Sequence, residues 1–364
     1  MATFIAQHGG IVIESGVDCD GGTVTDLPIP FLATALRAAR PSKYLVYHAG
    51  GGVGGFGSRL NGIANVFLWS LLTKRTFTIE YDTPHPLADC FTPALPALVD
   101  WTKKAPKRRK TEYLVDRTLP KRLLEHGDIE ESWKGHGTVA FTGANMPCMR
   151  ALSTNPHYDL SGLGIPGPCD TRSSLRDKTD RRFMDTRFQA WKALAWRTLF
   201  RPSAAVLAVA KPTLDRMRTF DTTIAIHIRE GGTFGGAHDA SRSHGASKGF
   251  KRQAVMQWFL DCASAKTKQA QAQNKSVAWF IASDHVELEQ WMAKKATVPV
   301  LSLGKNRAVH TDKSHQSEKE WLETAADWIV LGEAMHIIVS PSTFSFTAAL
   351  YAGKVPTMWG EDCG

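Results

Sequence analysis

The chain has 364 residues, 43% hydrophobic and 22% charged, with a formal net charge of +9. That length accommodates two domains with a substantial core, and the composition excludes a disordered or low-complexity chain. No apolar run reaches the length of a bilayer span and no basic segment with an apolar core opens the sequence, so a cytoplasmic protein without stable membrane insertion is expected.

Residues 1–40 form an N-terminal extension with little periodicity, closed by FLATALRAAR (Phe31 to Arg40), a short amphipathic helix that Pro41 would end. KYLVYHA from Lys43 reads as a strand. After a glycine-rich loop, Leu60, Ile63, Ala64, Phe67, Leu68, Leu71 and Leu72 recur at helical spacing. Val66 and Trp69 widen that apolar face, so the helix is expected to be largely buried. FTIEYD follows as a second strand. The unit is therefore strand, loop, helix, strand, with backbone N–H groups and the helix dipole facing the loop. Gly50 to Gly57 lack the Lys-Ser/Thr of a phosphate-binding Walker loop, because Ser58-Arg59 follows. Gly50, Gly52 and Gly55 fit a dinucleotide fingerprint, with Glu80 or Asp82 ending the next strand, and a turn that simply needs positive φ fits equally.

Beyond Thr83, Pro84, Pro86, Pro93 and Pro96 break any helix, and the span from Trp101 to about Asp180 mixes basic loops with short apolar runs. Its KKAPKRRK stretch reads as a solvated loop or an anion-binding patch. No aromatic residue interleaves with it and no nucleic-acid-binding signature occurs elsewhere, so nucleic acid is not an expected partner. Arg187 to Phe200 spaces its apolar residues as a helix; Trp191 and Trp196 on it either pack or stack on a sugar. Arg201-Pro202 then ends a first domain, 41–202, and 203–364 forms a second.

The second half alternates regularly: TTIAIHI from Thr222, a helix from Gln253, VAWFIASD, a helix from His285, PVLSL, a helix from Glu318 to Ala334, HIIVSP, a helix from Ser342 and VPTMW. This alternation predicts an α/β fold with a doubly wound parallel sheet, whose loops converge at the strand ends. Six scattered cysteines lack the close pairs of zinc or redox sites and are expected to be mostly reduced, a Cys148–Cys169 bridge staying open.

Arg229 follows the first of these strands, at the edge where ligands bind in open α/β sheets, and its forked donors suit a phosphate or diphosphate as well as a neighbouring carboxylate. Ser283 and Asp284 end the next strand. Asp284 either accepts from ribose hydroxyls or a base edge, or opens a capping box with Glu287. Ser340, Ser342, Thr343 and Ser345 sit at another strand-to-helix junction, where hydroxyls and N–H groups suit a phosphate or a plain N-cap. His227, His238, Asp239 and His244 match no standard metal spacing, so no metal is expected.

Three segments in this order resemble the superfamily that unites α1,2- and α1,6-fucosyltransferases with protein O-fucosyltransferases: GGVGGFGSRLNGI, IAIHIREGG, and FIASD followed by VSPSTFSFTAALYAG. The resemblance implies a GT-B architecture, two Rossmann-like domains facing across a cleft. It further implies inverting transfer of L-fucose from GDP-fucose to a glycan hydroxyl, usually without a metal. Arg229 would then hold the β-phosphate, His227 would orient the diphosphate or its loop, and Asp284 beside Ser283 would contact the guanosine end. Ser342, Thr343, Phe344 and Ser345 would line the nucleotide, and Phe56, Gly57, Ser58 and Arg59 would approach the same donor. Glu230-Gly231-Gly232 departs from relatives that carry a basic residue and an acid there. Glu230 and Asp239, with His238 behind them, are the candidate bases, unless the leaving phosphate or water takes the proton. The partners implied are a nucleotide-sugar donor and a glycan acceptor. The same scaffold using another GDP- or UDP-sugar, a binding protein without turnover, and a remoter NAD-dependent oxidoreductase are the other readings.

Overall fold

The structure is a computed structural model and describes residues 29–49, 54–106, 111–115, 128–133, 136–142, 157–158, 160, 186–229, 250–304 and 317–363. The chain divides into two compact units, Met1–Ala88 with Thr92–Arg201, and Asp89–Phe91 with Pro202–Gly364.

The described part of the N-terminal unit begins with helix α1 (Ile29–Arg37), which stops four residues before Pro41 and is followed after two residues by strand β1 (Arg40–His48). Helix α2 (Phe56–Leu72) and strand β2 (Arg75–Glu80) complete the expected unit. Short helix α3 (Leu87–Cys90) and strand β3 (Phe91–Pro93) come next. Strand β4 (Thr111–Val115), helix α4 (Ile129–Ser132), strand β5 (Thr138–Thr142) and helix α5 (Thr186–Leu199) follow. The sheet order is β2-β1-β5-β4, all parallel, with Leu45 of β1 opposite Phe77 on one side and Val139 on the other. α2 is apolar almost all round, and it is buried accordingly, packed on β1, β2 and α5. Trp191 and Trp196 of α5 donate their indole N–H groups to the carbonyls of Ala64 and Leu60 at 3.3 and 2.8 Å. Both indoles are fully buried, which settles their use as packing rather than as a sugar platform.

Strand β6 (Phe200–Pro202) runs up to the first residues of the C-terminal unit, whose first helix is α6 (Ala204–Met217), capped by Ser203. Then come strand β7 (Thr222–Ile228), helix α7 (Phe250–Gln271), strand β8 (Val277–Ser283), helix α8 (Val286–Lys295) and strand β9 (Val300–Leu301). Helix α9 (Glu318–Glu333), strand β10 (His336–Val339), helix α10 (Thr343–Tyr351) and strand β11 (Thr357–Met358) end the chain. The parallel sheet runs β11-β10-β7-β8-β9. The chain thus lays β8 and β9 outward from β7, returns, and adds β10 and β11 on the other side, so strand order reverses between β7 and β10. β7 and β8 are buried along their whole lengths, as continuous apolar runs covered on both faces should be.

The described cysteines depart in part from the expectation of mostly reduced thiols. Cys262 of α7 and Cys363 are joined by a disulfide, while Cys90 is a buried thiol. The two partners stand 101 residues apart, and only packing of the C-terminal tail on α7 brings them together, which spacing in the sequence does not report. Cys148 and Cys169 lie outside the described residues. Among the described residues, no helix is long and apolar enough to cross a membrane.

Candidate functional site

In the C-terminal unit, the residues that end β7, β8 and β10 are laced by polar bonds. Ser340 donates its backbone N–H to the carbonyl of His227 at 3.0 Å, and its hydroxyl accepts the backbone N–H of Arg229 at 2.8 Å. On the other side, the Ser283 hydroxyl donates to the Ile228 carbonyl at 2.9 Å and accepts from the N–H of His285 at 3.1 Å. Glu289 of α8 accepts from the N–H of Ser283 at 3.0 Å. Arg229 therefore leaves β7 with its backbone fixed from both neighbouring strands.

Its side chain meets Asp284, with Nε 3.3 Å from Oδ2. The arginine side chain is 24% exposed and the carboxylate 7%. The capping box suggested by Asp284 and Glu287 does not form: the N-cap of α8 is His285, which makes no side-chain cap bond. The guanidinium takes the carboxylate instead, because Ile228 and Ser283 are register partners and the next residue of each strand lies at the same level. That partnership is readable from sequence only once the register is known.

On the β10 side, the Ser342 hydroxyl caps α10, accepting from the N–H of Phe344 at 3.3 Å. Ser345 is fully buried and its hydroxyl turns to the Ser342 carbonyl at 3.5 Å, while Thr343 and Phe344 are half-buried. The buried His227 ring lies 5.3 Å from the Phe344 ring. A cation at the end of β7 and the N-terminus of α10 at the end of β10 thus flank the point where strand order reverses, the place where open parallel sheets bind ligands.

In the N-terminal unit, Gly54 takes φ +86° and Gly55 is the N-cap of α2, with no side-chain cap bond. Phe56 and Gly57 are buried, and Ser58 is half-buried. Arg59 is 1% exposed: Nε donates to the Gly54 carbonyl at 2.9 Å, Nη1 donates to the Thr83 carbonyl, and the guanidinium sits 4.9 Å from the Tyr81 ring. Its donors thus fasten the loop before α2 to the loop after β2. Burial pushes the Tyr47 phenol well above its ordinary range, and the Arg59 charge draws it partly back. Glu80 ends β2 as expected and pairs with His48 Nδ1 at 3.3 Å. The candidate bases Glu230 and Asp239, with His238, His244, Gly50 and Gly52, lie outside the described residues. Among the described residues, no group of three or more His, Cys, Asp or Glu side chains is placed to hold a metal ion.

No family model and no curated protein matches the sequence. Solved structures do. A mutant of Arabidopsis thaliana FUT1 in complex with GDP aligns with 91% of this chain and 75% of its own, at 15% identity and a TM-score of 0.54. The chain has the fold of a fucosyltransferase. The fucosyltransferase NodZ from Bradyrhizobium aligns at 12% identity and a TM-score of 0.48, over 85% of this chain and 93% of its own. POFUT1 in complex with GDP aligns at 13% identity and 0.47, over 89% and 100%. Within this fold, the structure brings Arg229, Ser283, Asp284 and Ser340 into one bonded cluster, with the tilted His227 and Phe344 rings packed beside it. Ser340 appeared in the sequence only as one hydroxyl among several; its bond to the Arg229 backbone depends on the β7–β10 pairing.

Proposed function

We propose that the chain is an inverting glycosyltransferase that moves L-fucose from GDP-fucose to a hydroxyl of a glycan acceptor. The observation that carries the reading is Arg229, bonded in place on the β7 side of the strand-order reversal and opposite the N-terminus of α10. The GT-B architecture implied by the resemblance assigns the donor to residues 203–364 and the acceptor to 41–202.

The chemistry follows from that assignment. The bond between the fucose anomeric carbon and the β-phosphate oxygen breaks as the acceptor hydroxyl attacks from the opposite face. Negative charge grows on the departing GDP. A guanidinium cannot release its proton and offers two parallel donors, so Arg229 on the β-phosphate stabilises that charge more in the transition state than in bound donor. Ser342 and Thr343 add the N-terminal amides of α10. The acceptor proton passes to Glu230, to Asp239, or late to the leaving phosphate. No metal is needed where an arginine and a helix terminus supply the positive charge.

The test is thermal stability with GDP, UDP and NAD, joined to release of GDP from GDP-fucose. A ligand of the native state at about a hundredfold its Kd adds about 2.7 kcal/mol, so GDP should raise Tm clearly. Stabilisation by NAD alone overturns the reading. Arg229→Ala should abolish transfer while leaving the fold intact, and Arg229→Lys should fall well below wild type because an ammonium lacks the planar fork. An active Arg229→Ala enzyme removes the proposed centre. GDP binding without turnover on any glycan leaves a nucleotide-binding protein.

A further inference from the structure

We propose that Asp284 is a positioning residue for Arg229, setting the plane of its guanidinium for a diphosphate, and not a contact to the guanine base. The inference rests on the donor reading above and deepens it.

Asp284 sits immediately after β8 with its side chain 7% exposed. A carboxylate that far from water needs a partner, and Oδ2 has Arg229 Nε at 3.3 Å. Both backbones are held: Arg229 N–H by the Ser340 hydroxyl, and the β8 end by the Ser283 bonds to Ile228 and Glu289. The carboxylate therefore cannot follow a wandering arginine; the arginine must come to it. Nε is the guanidinium nitrogen nearest the main chain. An acceptor fixed there limits rotation about the Cδ–Nε bond, and that rotation sets where Nη1 and Nη2 point. Forked recognition of phosphate oxygens depends on this plane, whereas a bare positive charge would not.

Charge and orientation make opposite forecasts. Asp284 subtracts one positive charge from the neighbourhood of an anionic ligand, so on Coulomb grounds alone its removal should tighten GDP binding. Removal of a positioning group should loosen it. A contact to guanine should loosen it in a third way, through the base.

The experiment measures binding of GDP, GMP and IDP by calorimetric titration to the full-length chain. GMP lacks the β-phosphate, and IDP lacks only the exocyclic amino group of guanine. For Asp284→Ala, GDP affinity should fall about tenfold while GMP affinity stays nearly unchanged, so that the preference for GDP over GMP collapses. The preference for GDP over IDP should persist. In Arg229→Ala, adding Asp284→Ala should cost no further GDP affinity, because coupled residues are not additive. Should Asp284→Ala fail to fold, Asp284→Asn keeps the shape and should show the same pattern, weakened. Tighter GDP binding overturns the proposal, as does an equal loss for GDP and GMP with erasure of the GDP-over-IDP preference. Additive losses in the double variant also overturn it. Wild-type protein that binds no GDP would defeat the donor reading itself, before any variant is made.

Discussion

His336 opens β10 half-buried, and desolvation, then the charges of Lys266, Lys275 and Lys354, hold its imidazole below the ordinary value of 6.5. A folded-state pKa below the unfolded one means that the folded chain binds fewer protons there as pH falls. The stability tied to neutral His336 is thus present above about pH 6.5 and is lost as pH drops through the lowered folded value. Asp215 and Asp221, also lowered, act only near and below their ordinary value of 3.8, outside that window. Urea melts at pH 7.5, 6.5 and 5.5 should show falling stability in wild type and a shallower fall in His336→Gln. Parallel pH profiles for the two proteins would show that the imidazole takes up protons equally in the folded and unfolded chain. His336 is register partner to Ile224, at the opposite end of β10 from Ser340, so the effect should appear in stability before it appears in GDP affinity.

At the level of elements, the position of α10 depends on its close packing with α9. A Cβ at Gly332 would stand 3.1 Å from the Ala348 carbonyl oxygen and 3.2 Å from the Ala352 Cβ, and Trp328 of α9 donates to the Thr347 hydroxyl at 2.9 Å. Gly332→Leu should therefore force the helices apart and cost about 1–3 kcal/mol in urea unfolding, as overpacking does. Because Ser342 and Phe344 ride on α10, GDP affinity should drop with it; unchanged stability and affinity would mean that the helix pair yields easily. Such helix contacts were not legible in the sequence, while the elements themselves largely were. β1, α2, β7, β8 and β10 announce themselves because buried strands and helices need apolar runs of fixed period. α6 did not, since Pro212 interrupts its pattern and the cap at Ser203 looks like any serine before alanines. β4 and β5 were hidden in a basic, proline-flanked span where short strands borrow their stability from the sheet, β5 from β1 and β4 from β5. At the candidate site, Arg229 was legible because it ends an alternating strand before a polar loop. Its pairing with Asp284 was not, because a carboxylate after a strand has equal use as a helix cap until the register decides. The bonds of Arg59 Nε and Nη1 to the Gly54 and Thr83 carbonyls were not legible either, a demand set by tertiary burial.

At the scale of the whole molecule, the two units let local and global effects be separated. β11 is only two residues long, paired with Ile338 and Val339 at the sheet edge, and the Trp359 N–H bonds to the Val339 carbonyl at 2.9 Å. A strand so short holds weakly alone. Trp359 and Cys363 pack on the core around Phe259, Trp279 and Ile338, and the bond to Cys262 fastens that tail to α7. Closing a chain segment of 101 residues restricts the unfolded ensemble, so Cys363→Ser should lower stability by about 2–4 kcal/mol. The loss should fall on one unit. If calorimetry resolves two transitions, only the one assigned to residues 202–364 should move, and reductant should shift wild type to the same place while leaving Cys363→Ser unmoved. Since Val339 adjoins Ser340, release of β11 should also weaken the Ser340–Arg229 bond and lower GDP affinity, an effect GDP at saturation would partly reverse by mass action. Equal shifts of both transitions would mean that the tail stabilises the chain as a whole, and no shift in either would mean that packing of Trp359 suffices without the covalent link.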